Sequence, residues 1–460
     1  MLRHWQSQSV DAALSKYSDG QRHFLCLATP GAGKTVMAAE VAKRLLDNQM
    51  VDLVICFSPS TAVAAGIQST FSWKLECSFN GGIGSIGGSY TYQNMLYLKD
   101  CFWSLLNRYR VLVVFDEIHH CAGSSLEDAN AWGAKILTKV QQHAAYTLAL
   151  TGTPWRSDKT PIVLTSYTDE GGEILCDYVY GLGEAIRDSV CRLPKIVLVD
   201  SDRLTLSESG EKKLFESFSD LLRNSSTPYL SVISHHVAMK YVLGLGCNKL
   251  SQIRCHNSEA GGLIVAASVE HARQIQQMLI QDFNQTAVIV TYRDDEPLRK
   301  IDNYRHSSTQ WIVSVGMISE GTDIPRLQVC CHLSSIKTEL YFRQVLGRIM
   351  RITDSPNQDA WLYTLADEQL TGFAERINED LPEGYSILDT SEELEMNIKG
   401  NVFIQSQPVK TNGGSLSVSE ISDELCINDL INSDKGSALQ LQVERFRERV
   451  VEAFVMVEIN

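Results

Sequence analysis

Two closely spaced glycines followed by a lysine and a threonine are the first residues in this chain that could do chemistry. Ala28–Thr35 contains Gly31, Gly33, Lys34 and Thr35 between a short apolar run and a stretch with helical periodicity. A strand, a glycine-containing turn and a helix N-terminus in this order direct backbone N–H groups towards an anion. We therefore predict a phosphate-binding loop, in which Lys34 contacts the β- and γ-phosphates of ATP and the Thr35 hydroxyl binds Mg²⁺.

Two adjacent acidic residues form the second group. Asp116 and Glu117 follow the continuous apolar run Val111–Phe115, which is typical of a central parallel strand. Open α/β sheets place their chemistry at this end of a strand. We predict that Asp116 holds Mg²⁺ through water and that Glu117 orients and deprotonates the attacking water. The segment His119–Cys121 could suggest a metal site, but hydrogen-bonded histidines are the simpler interpretation.

Polar turns follow the ends of other predicted strands. Pro59 and Ser60, and later Thr91 and Gln93, carry small hydroxyl and amide groups that could hold a sugar-phosphate backbone; the alternative is that they are plain connections. The glycine-rich segment 81–88 predicts a flexible loop.

Gln6 begins a predicted helix that runs to about Tyr17, and it precedes Lys34 by 28 residues. An amide both donates and accepts hydrogen bonds, so Gln6 is suited to bind the edge of adenine. Thr151 and Thr153 belong to a TGTP turn that ends another predicted strand.

The second half of the chain repeats the alternation of strands and helices, which predicts a second parallel sheet. The strands are expected at 262–267, 287–291, 311–316, 327–333 and 360–364. This half has no phosphate-binding loop, but it can present arginines to a nucleotide held by the first half. Arg348 and Arg351 are three residues apart on a predicted helix, hence on one face, and could neutralise charge in the transition state. The alternative is a solvated basic face.

The net charge of −14 over 460 residues is unevenly distributed. Residues 367–460 contain 19 acidic and 7 basic residues, whereas residues 1–366 contain 36 and 34. A near-neutral body can carry a local basic groove, so the overall sign does not exclude nucleic acid. The 12 cysteines have no zinc-site spacing, no apolar run reaches the length of a membrane span, and no secretion signal is recognisable. We expect a cytoplasmic protein with reduced thiols.

Together these motifs resemble the superfamily 2 helicases and translocases of the DExH type, and most closely the group of restriction-enzyme motor subunits and phage or bacterial defence-associated helicases. The resemblance covers roughly residues 2–366 and includes a motif V at 315–325 and a QxxGRxxR motif VI at 344–351. It implies two tandem RecA-like domains that bind ATP–Mg²⁺ between them. It adds Gln344 to the catalytic set, places Gly321 near backbone or phosphate and Asp323 near the ribose, and makes His119 and the Thr151–Thr153 turn the link to the nucleic-acid site.

The predicted organisation is a first motor domain at 1–195, a second at 196–366 with a helical segment at 203–256, and an acidic region at 367–460. In the last region, Ser437 could cap a helix that carries Val443, Phe446, Val450 and Phe454 on one stripe, as a candidate docking site for a protein partner. The predicted function is an ATP-dependent helicase or translocase on nucleic acid, DNA rather than RNA. The alternative is an ATP-driven switch or motor subunit of a defence or restriction complex without strand separation of its own. A small-molecule kinase would not need the second sheet with QxxGRxxR.

Overall fold

Apolar runs of strand length form two mostly parallel sheets in the computed structural model of the chain. The structure describes residues 2–153, 160–167, 174–208, 211–318, 323–354, 358–379, 387–388 and 440–452. Among these residues, no helix is long and apolar enough to cross a membrane.

The first half of the chain forms one six-stranded sheet and a small ribbon. Its strands are β1 (His23–Ala28), β2 (Leu53–Ser58), β3 (Gly87–Thr91), β4 (Val111–Phe115), β5 (Tyr146–Thr151), β6 (Ser166–Tyr167), β7 (Ile174–Leu175) and β8 (Tyr178–Tyr180). The sheet has the order β3-β2-β4-β5-β1-β8 with every neighbouring pair parallel, and β6 pairs with β7 apart from it.

Three helices of 14 or 15 residues and several shorter ones surround this sheet. They are α1 (His4–Ser18), α2 (Lys34–Asp47), α3 (Thr61–Leu75), α4 (Tyr92–Tyr97), α5 (Asp100–Trp103), α6 (Leu105–Arg108), α7 (Ala131–Lys135) and α8 (Leu182–Arg187). A 3₁₀ turn spans Ile118–His120 and a π-helical turn spans Ile136–Val140. Apolar cores cover both faces of the sheet, which explains why β4 is apolar at all five positions.

One part of the glycine-rich segment is a strand, contrary to the prediction of a flexible loop. Gly87 and Gly88 begin β3, which pairs with β2 from Val54 to Ser58. A Cβ on Gly87 would lie 1.9 Å from the carbonyl oxygen of Val54, so only glycine fits beside β2 here. The glycines therefore allow close approach of two backbones.

The second half forms a nine-stranded sheet. Its strands are β9 (Leu193–Glu208), β10 (Glu211–Phe215), β11 (Gly261–Ala266), β12 (Ala287–Thr291), β13 (Trp311–Val315), β14 (Leu327–Leu333), β15 (Asp359–Leu365), β16 (Ile387–Leu388) and β17 (Gln440–Glu452). The order is β12-β13-β11-β14-β15-β9-β17-β16, and β10 also pairs with β9. The strands from β12 to β9 are parallel, which confirms the predicted second parallel sheet, whereas β10, β16 and β17 pair antiparallel.

The helices of this half are α9 (Phe218–Asn224), α10 (Tyr229–Ile233), α11 (His236–Arg254), α12 (Val269–Gln281), α13 (Pro297–Arg305), α14 (Glu339–Ile349) and α15 (Glu368–Glu379). The segment 203–256 is therefore helical only from Phe218 onwards, and the prediction of a helical start was wrong. Leu204 and Leu206 are buried while Arg203 is exposed, which is the two-residue alternation of a strand. The predicted boundary between the two motor domains, at residues 195 and 196, lies inside β9, which pairs there with β15.

The predicted C-terminal helix is also wrong, because residues 440–452 form strand β17. The ladder between β17 and β9 is interrupted at Arg445, which has a left-handed φ of 51°. Across this interruption the alternation changes phase, so Val443, Phe446 and Val450 all contact the same core. A strand with such a phase change reproduces the three- and four-residue spacing of a helix. Ser437 and Phe454 lie outside the described residues.

The apolar stripe is consequently covered by the chain itself. Phe446 stacks on Tyr241 of α11 with ring centroids 4.1 Å apart, and Val443 is buried. This stripe does not supply a docking surface for a partner, and its strand is part of the second sheet rather than of a separate region. A partner for the acidic residues between β16 and β17 stays a prediction.

Candidate nucleotide site and nucleic-acid face

The phosphate-binding loop connects β1 to α2 in the predicted manner. Gly31 and Gly33 have left-handed φ values of 84° and 94°, which side chains with a Cβ rarely adopt. Gly33 is the N-cap of α2, and Lys34 and Thr35 are its first two residues. The buried Lys34 ammonium donates a hydrogen bond of 3.0 Å to the carbonyl oxygen of Ala28, across the mouth of the loop. The loop thus presents a helix N-terminus and a cation at one point.

The acidic pair lies beside this loop, because β4 is separated from β1 only by β5 in the sheet. Asp116 is buried, and its backbone is fixed on both sides: its N–H donates to Phe57 and its carbonyl accepts from the Tyr92 hydroxyl at 2.7 Å. Glu117 has a left-handed φ of 50° and lies 3.3 Å from the Lys34 ammonium. The sheet therefore brings the Glu117 carboxylate to the lysine, and Asp116 precedes it directly after β4.

The carboxyl group of Glu117 is held in its ionised form. Burial alone raises its pKa, but the Lys34 ammonium, His119 and the N–H of Gly152 lower it below its ordinary value. The Gly152 N–H donates to Glu117 at 3.2 Å. An ionised carboxylate of this kind can accept a proton from water, whereas a neutral one cannot.

A chain of hydrogen bonds connects Glu117 to the TGTP turn. His119 Nδ1 lies 3.5 Å from a Glu117 carboxylate oxygen and 3.1 Å from the Thr151 hydroxyl. That hydroxyl donates to the carbonyl oxygen of Thr153 and accepts from its N–H, at 2.8 and 3.1 Å. The structure therefore brings together the three residues predicted to couple the two sites, while Pro154 lies outside the described residues. Within the described ranges, no group of three His, Cys, Asp or Glu side chains could hold a metal by itself, so the alternative metal interpretation of His119–Cys121 gains no support.

Gln6 contacts the phosphate-binding loop directly. Its amide nitrogen donates to the carbonyl oxygen of Gly33 at 2.9 Å, and its amide oxygen accepts from the Arg3 N–H at 2.8 Å. The Arg3 guanidinium donates to Ala32 at 2.7 Å. The start of α1 is thus attached to the loop, and the predicted contact with adenine stays a prediction.

The second sheet supplies the other wall of this site. A Cβ on Gly347 of α14 would lie 2.7 Å from Pro30 Cβ, and the Cγ of Arg351 would lie 3.4 Å from a Cβ on Gly31. Helix α14 therefore ends against the phosphate-binding loop. Gln344 and Arg348 are half-buried within α14.

Arg351 lies beyond the helix, which ends at Ile349, so Arg348 and Arg351 do not share one helical face as predicted. Arg351 forms an isolated bridge with Cys191 and an ion pair with Asp323. Asp323 itself is largely exposed, and its predicted place near the ribose stays a prediction. Gly321 lies outside the described residues.

This geometry can be compared with known proteins. Residues 1–156 match the family described as type III restriction enzyme, res subunit. The chain is 31% identical over 365 residues to an uncharacterized protein of Mycobacterium leprae, covering 76% of this chain and 59% of that protein. It is 22% identical over 416 residues to the type I restriction enzyme EcoAI endonuclease subunit of Escherichia coli, covering 83% and 49%. The chain thus spans about half to three-fifths of the length of these relatives.

Two solved structures share the fold. A putative HsdR subunit of a type I restriction enzyme from Vibrio vulnificus has a TM-score of 0.56 at 14% identity, covering 83% of this chain and 67% of that chain. The type ISP restriction-modification enzyme LlaBIII, bound to DNA, has a TM-score of 0.52 at 13% identity, covering 83% and 29%. Both structures are of restriction enzymes, and the family match over residues 1–156 and the Escherichia coli relative are likewise described as subunits of restriction enzymes.

The residues predicted to contact nucleic acid lie at the ends of two neighbouring strands. Ser58 of β2 pairs with Thr91 of β3, so the turns that follow them are adjacent. The Ser60 hydroxyl caps α3 by accepting from the Val63 N–H at 3.3 Å. Thr91 is buried and caps α4, while Gln93 is exposed. The structure brings these two turns together, and Pro59 belongs to the turn that follows β2. The hydroxyls of Ser60 and Thr91 already bond within the chain.

Arg192 is a residue of this site that the sequence analysis missed. It is fully buried, and its guanidinium donates to the carbonyl oxygens of Leu327 and Ile349 and to the Thr353 hydroxyl, at 2.5, 3.2 and 3.0 Å. Burial lowers its pKa to about 10, so the group remains charged at neutral pH. Arg192 therefore holds the segment that carries Arg351 from both sides. The sequence signal that could have identified Arg192 was an arginine between the two predicted sheets, directly before an apolar strand.

Proposed function

We propose that this chain is a nucleic-acid-dependent ATPase that moves along a strand, with DNA as the preferred polymer. The observation that carries the proposal is the meeting of two sheets at one loop: Lys34 and Glu117 come from the first, and Arg351 and Gly347 from the second. A nucleotide bound at this loop would contact both domains. Its hydrolysis could then change their separation, which is the physical basis of stepping.

The roles follow from the side chains present. The loop N–H groups and Lys34 would bind phosphate, and the Thr35 hydroxyl and Asp116 carboxylate are oxygen donors of the kind that Mg²⁺ prefers. Bound Mg²⁺ would neutralise charge on the phosphates. Glu117, kept ionised by its neighbours, would accept a proton from the attacking water. Arg348 and Arg351 would stabilise charge in the transition state.

The test is the ATPase rate of the full chain with no polymer, single-stranded DNA, duplex DNA and RNA. We expect stimulation by DNA, and abolished turnover in Lys34→Ala, Glu117→Gln and Arg348→Ala. Glu117→Gln should still bind ATP, because the amide keeps the size and loses only the base. Turnover near the wild-type rate in that variant would remove Glu117 from its role, and polymer-independent ATPase would refute the proposal.

Gln6 offers a test of base preference. If it binds the adenine edge, wild type should prefer ATP to GTP, and Gln6→Ala should raise KM for ATP. An unchanged KM would leave Gln6 as a residue that attaches α1 to Gly33.

Coupling can be tested at the TGTP turn. Thr151→Ala and Thr153→Ala remove the bonds between His119 and the turn, and we expect them to reduce translocation more than ATP hydrolysis. An equal proportional loss of both activities would contradict this role.

The second candidate is an ATP-driven motor or switch subunit of a restriction or defence complex, without strand separation of its own. It is favoured by the similarity to the EcoAI endonuclease subunit, of which the chain covers 49%, and by the LlaBIII structure, which is of an enzyme bound to DNA. A duplex-unwinding assay on the isolated chain separates the two candidates. Unwinding supports a helicase, whereas DNA-stimulated ATPase without unwinding supports the motor subunit.

A further inference from the structure

Tyr292 is an exposed aromatic residue at the carboxyl end of the outermost strand of the second sheet. It directly follows β12, whose last residue, Thr291, pairs with Val315 of β13. The side chain is 51% exposed. Exposed single tyrosines are common, so the surroundings must decide whether this one binds a ligand.

The ring lies beside the turn that follows β13, in the segment that resembles motif V. Gly316 follows β13 with a left-handed φ of 69°, and a Cβ there would lie 3.7 Å from Tyr292 Cδ1. The edge of the ring at Cδ1 is therefore next to this turn, while half of the side chain remains exposed. An exposed flat ring of this kind is suited to stack on a flat ligand.

A cation accompanies the ring. The Arg293 guanidinium carbon lies 5.6 Å from the Tyr292 ring centroid. In the described part of the chain, no carboxylate forms an ion pair with Arg293, and its side chain is exposed. The pair thus combines an apolar face with a positive charge, which are the two features that bind a base and its phosphate.

The turn that carries both residues is rigidly built. The Asp294 carboxylate accepts from the Thr291 N–H at 2.7 Å and from the Lys300 ammonium at 2.6 Å. The Thr291 hydroxyl accepts from the Arg293 N–H at 3.2 Å. The backbone that carries the ring and the guanidinium is therefore fixed before any ligand arrives, which reduces the entropy lost on binding.

The position in the sheet is also appropriate. In the first sheet, the turns predicted to contact nucleic acid follow β2 and β3. These two strands lie at one end of the strand order, and β1, which leads into the phosphate-binding loop, lies towards the other end. In the second sheet, β12 and β13 occupy the corresponding end. Tyr292 thus lies at the carboxyl end of a strand at this same end of the strand order.

From these observations we infer that Tyr292 stacks on an unpaired base of a single strand and that Arg293 binds an adjacent phosphate. The inference rests on the proposed function, and it makes single-stranded nucleic acid the ligand of the second domain. Stacking on an aromatic side chain is tolerant of sequence, because every base has a flat face.

The test compares binding of two fluorescein-labelled probes to the full chain by anisotropy without nucleotide: an oligothymidylate, and an abasic oligonucleotide of the same length. The abasic probe retains the phosphates and lacks the bases. We expect wild type to prefer the oligothymidylate and Tyr292→Ala to lose that preference through a roughly tenfold higher Kd for it. Tyr292→Phe should behave as wild type. Arg293→Ala should weaken binding of both probes.

Tyr109→Ala is the matched control. Tyr109 is 48% exposed and precedes β4, so it lies at the opposite, amino edge of the first sheet. It should leave both Kd values unchanged. If wild type shows DNA-stimulated ATPase but Tyr292→Ala keeps the base preference, the inference is wrong and the proposed function stands. If wild type binds neither probe, both are wrong.

Discussion

Strand β17 allows a specific prediction, because it pairs the C-terminal end of the described chain with β9, which begins at Leu193. Val451 is 2% exposed and pairs with Ile196 of β9. Val451→Ala removes two methyl groups from a packed core and leaves a small cavity, at a cost of about 2 kcal/mol. For a domain of this size, we expect the melting temperature to fall by about 4–8 °C.

The measurement is thermal unfolding of the full chain followed by circular dichroism or calorimetry. Gln442→Ala is the control, since Gln442 lies on the same strand with its side chain exposed, and its melting temperature should stay within about 1 °C of wild type. A Val451→Ala protein as stable as the control would refute the placement of β17 in the second sheet.

Deletion of residues 440–460 should have a far larger effect. β17 pairs with β9 at twelve positions, and a net value of about 1 kcal/mol for each hydrogen bond gives a loss of order 10 kcal/mol. This equals the whole stability of an ordinary domain, and it also exposes β9 as an unpaired edge. The truncated protein should therefore be insoluble or unfolded. A soluble, folded truncation would show that the acidic region is separate after all.

Three further predictions concern the nucleotide site. Arg192→Met removes three hydrogen bonds that hold the Arg351 segment and should lower kcat about tenfold or more, with a smaller change in KM for ATP. Arg192→Lys should retain part of the wild-type kcat. An unchanged kcat in steady-state assays would leave Arg192 as a purely structural residue. Gly347→Val places a side chain against Pro30 and should reduce ATPase without changing oligothymidylate affinity, whereas Gly372→Ala, which meets nothing closer than 3.6 Å, should change neither. The pKa of Glu117 is lowered from 4.5, so its ionised form contributes stability that is present above that pH and is lost as the pH falls through the lowered value. The stability advantage of wild type over Glu117→Gln, measured by thermal melts from about pH 7 to about pH 3, should therefore shrink as the pH falls. An advantage that grows as the pH falls would show that the pKa is raised instead.

The sequence by itself determined the two parallel sheets and the central part of the nucleotide site. Strands such as β4 and β11 are buried on both faces, so they appear as runs without polar side chains that need no tertiary information to be recognised. Gly31, Gly33 and Lys34 could be assigned because a phosphate-binding loop is local: a strand, a turn and a helix N-terminus follow each other in the chain.

Only the tertiary structure decided the features that depend on distant partners. β17 shows helix-like spacing because its alternation changes phase at Arg445, and its state is fixed by pairing with β9, more than 230 residues away in sequence. The same holds for Arg192, whose acceptors lie between 135 and 161 residues away, and for Tyr292, whose neighbour Gly316 lies in the turn that follows the adjacent strand. Local periodicity records which residues avoid water, but it does not record which surface covers them, and that surface is created only when the chain has folded.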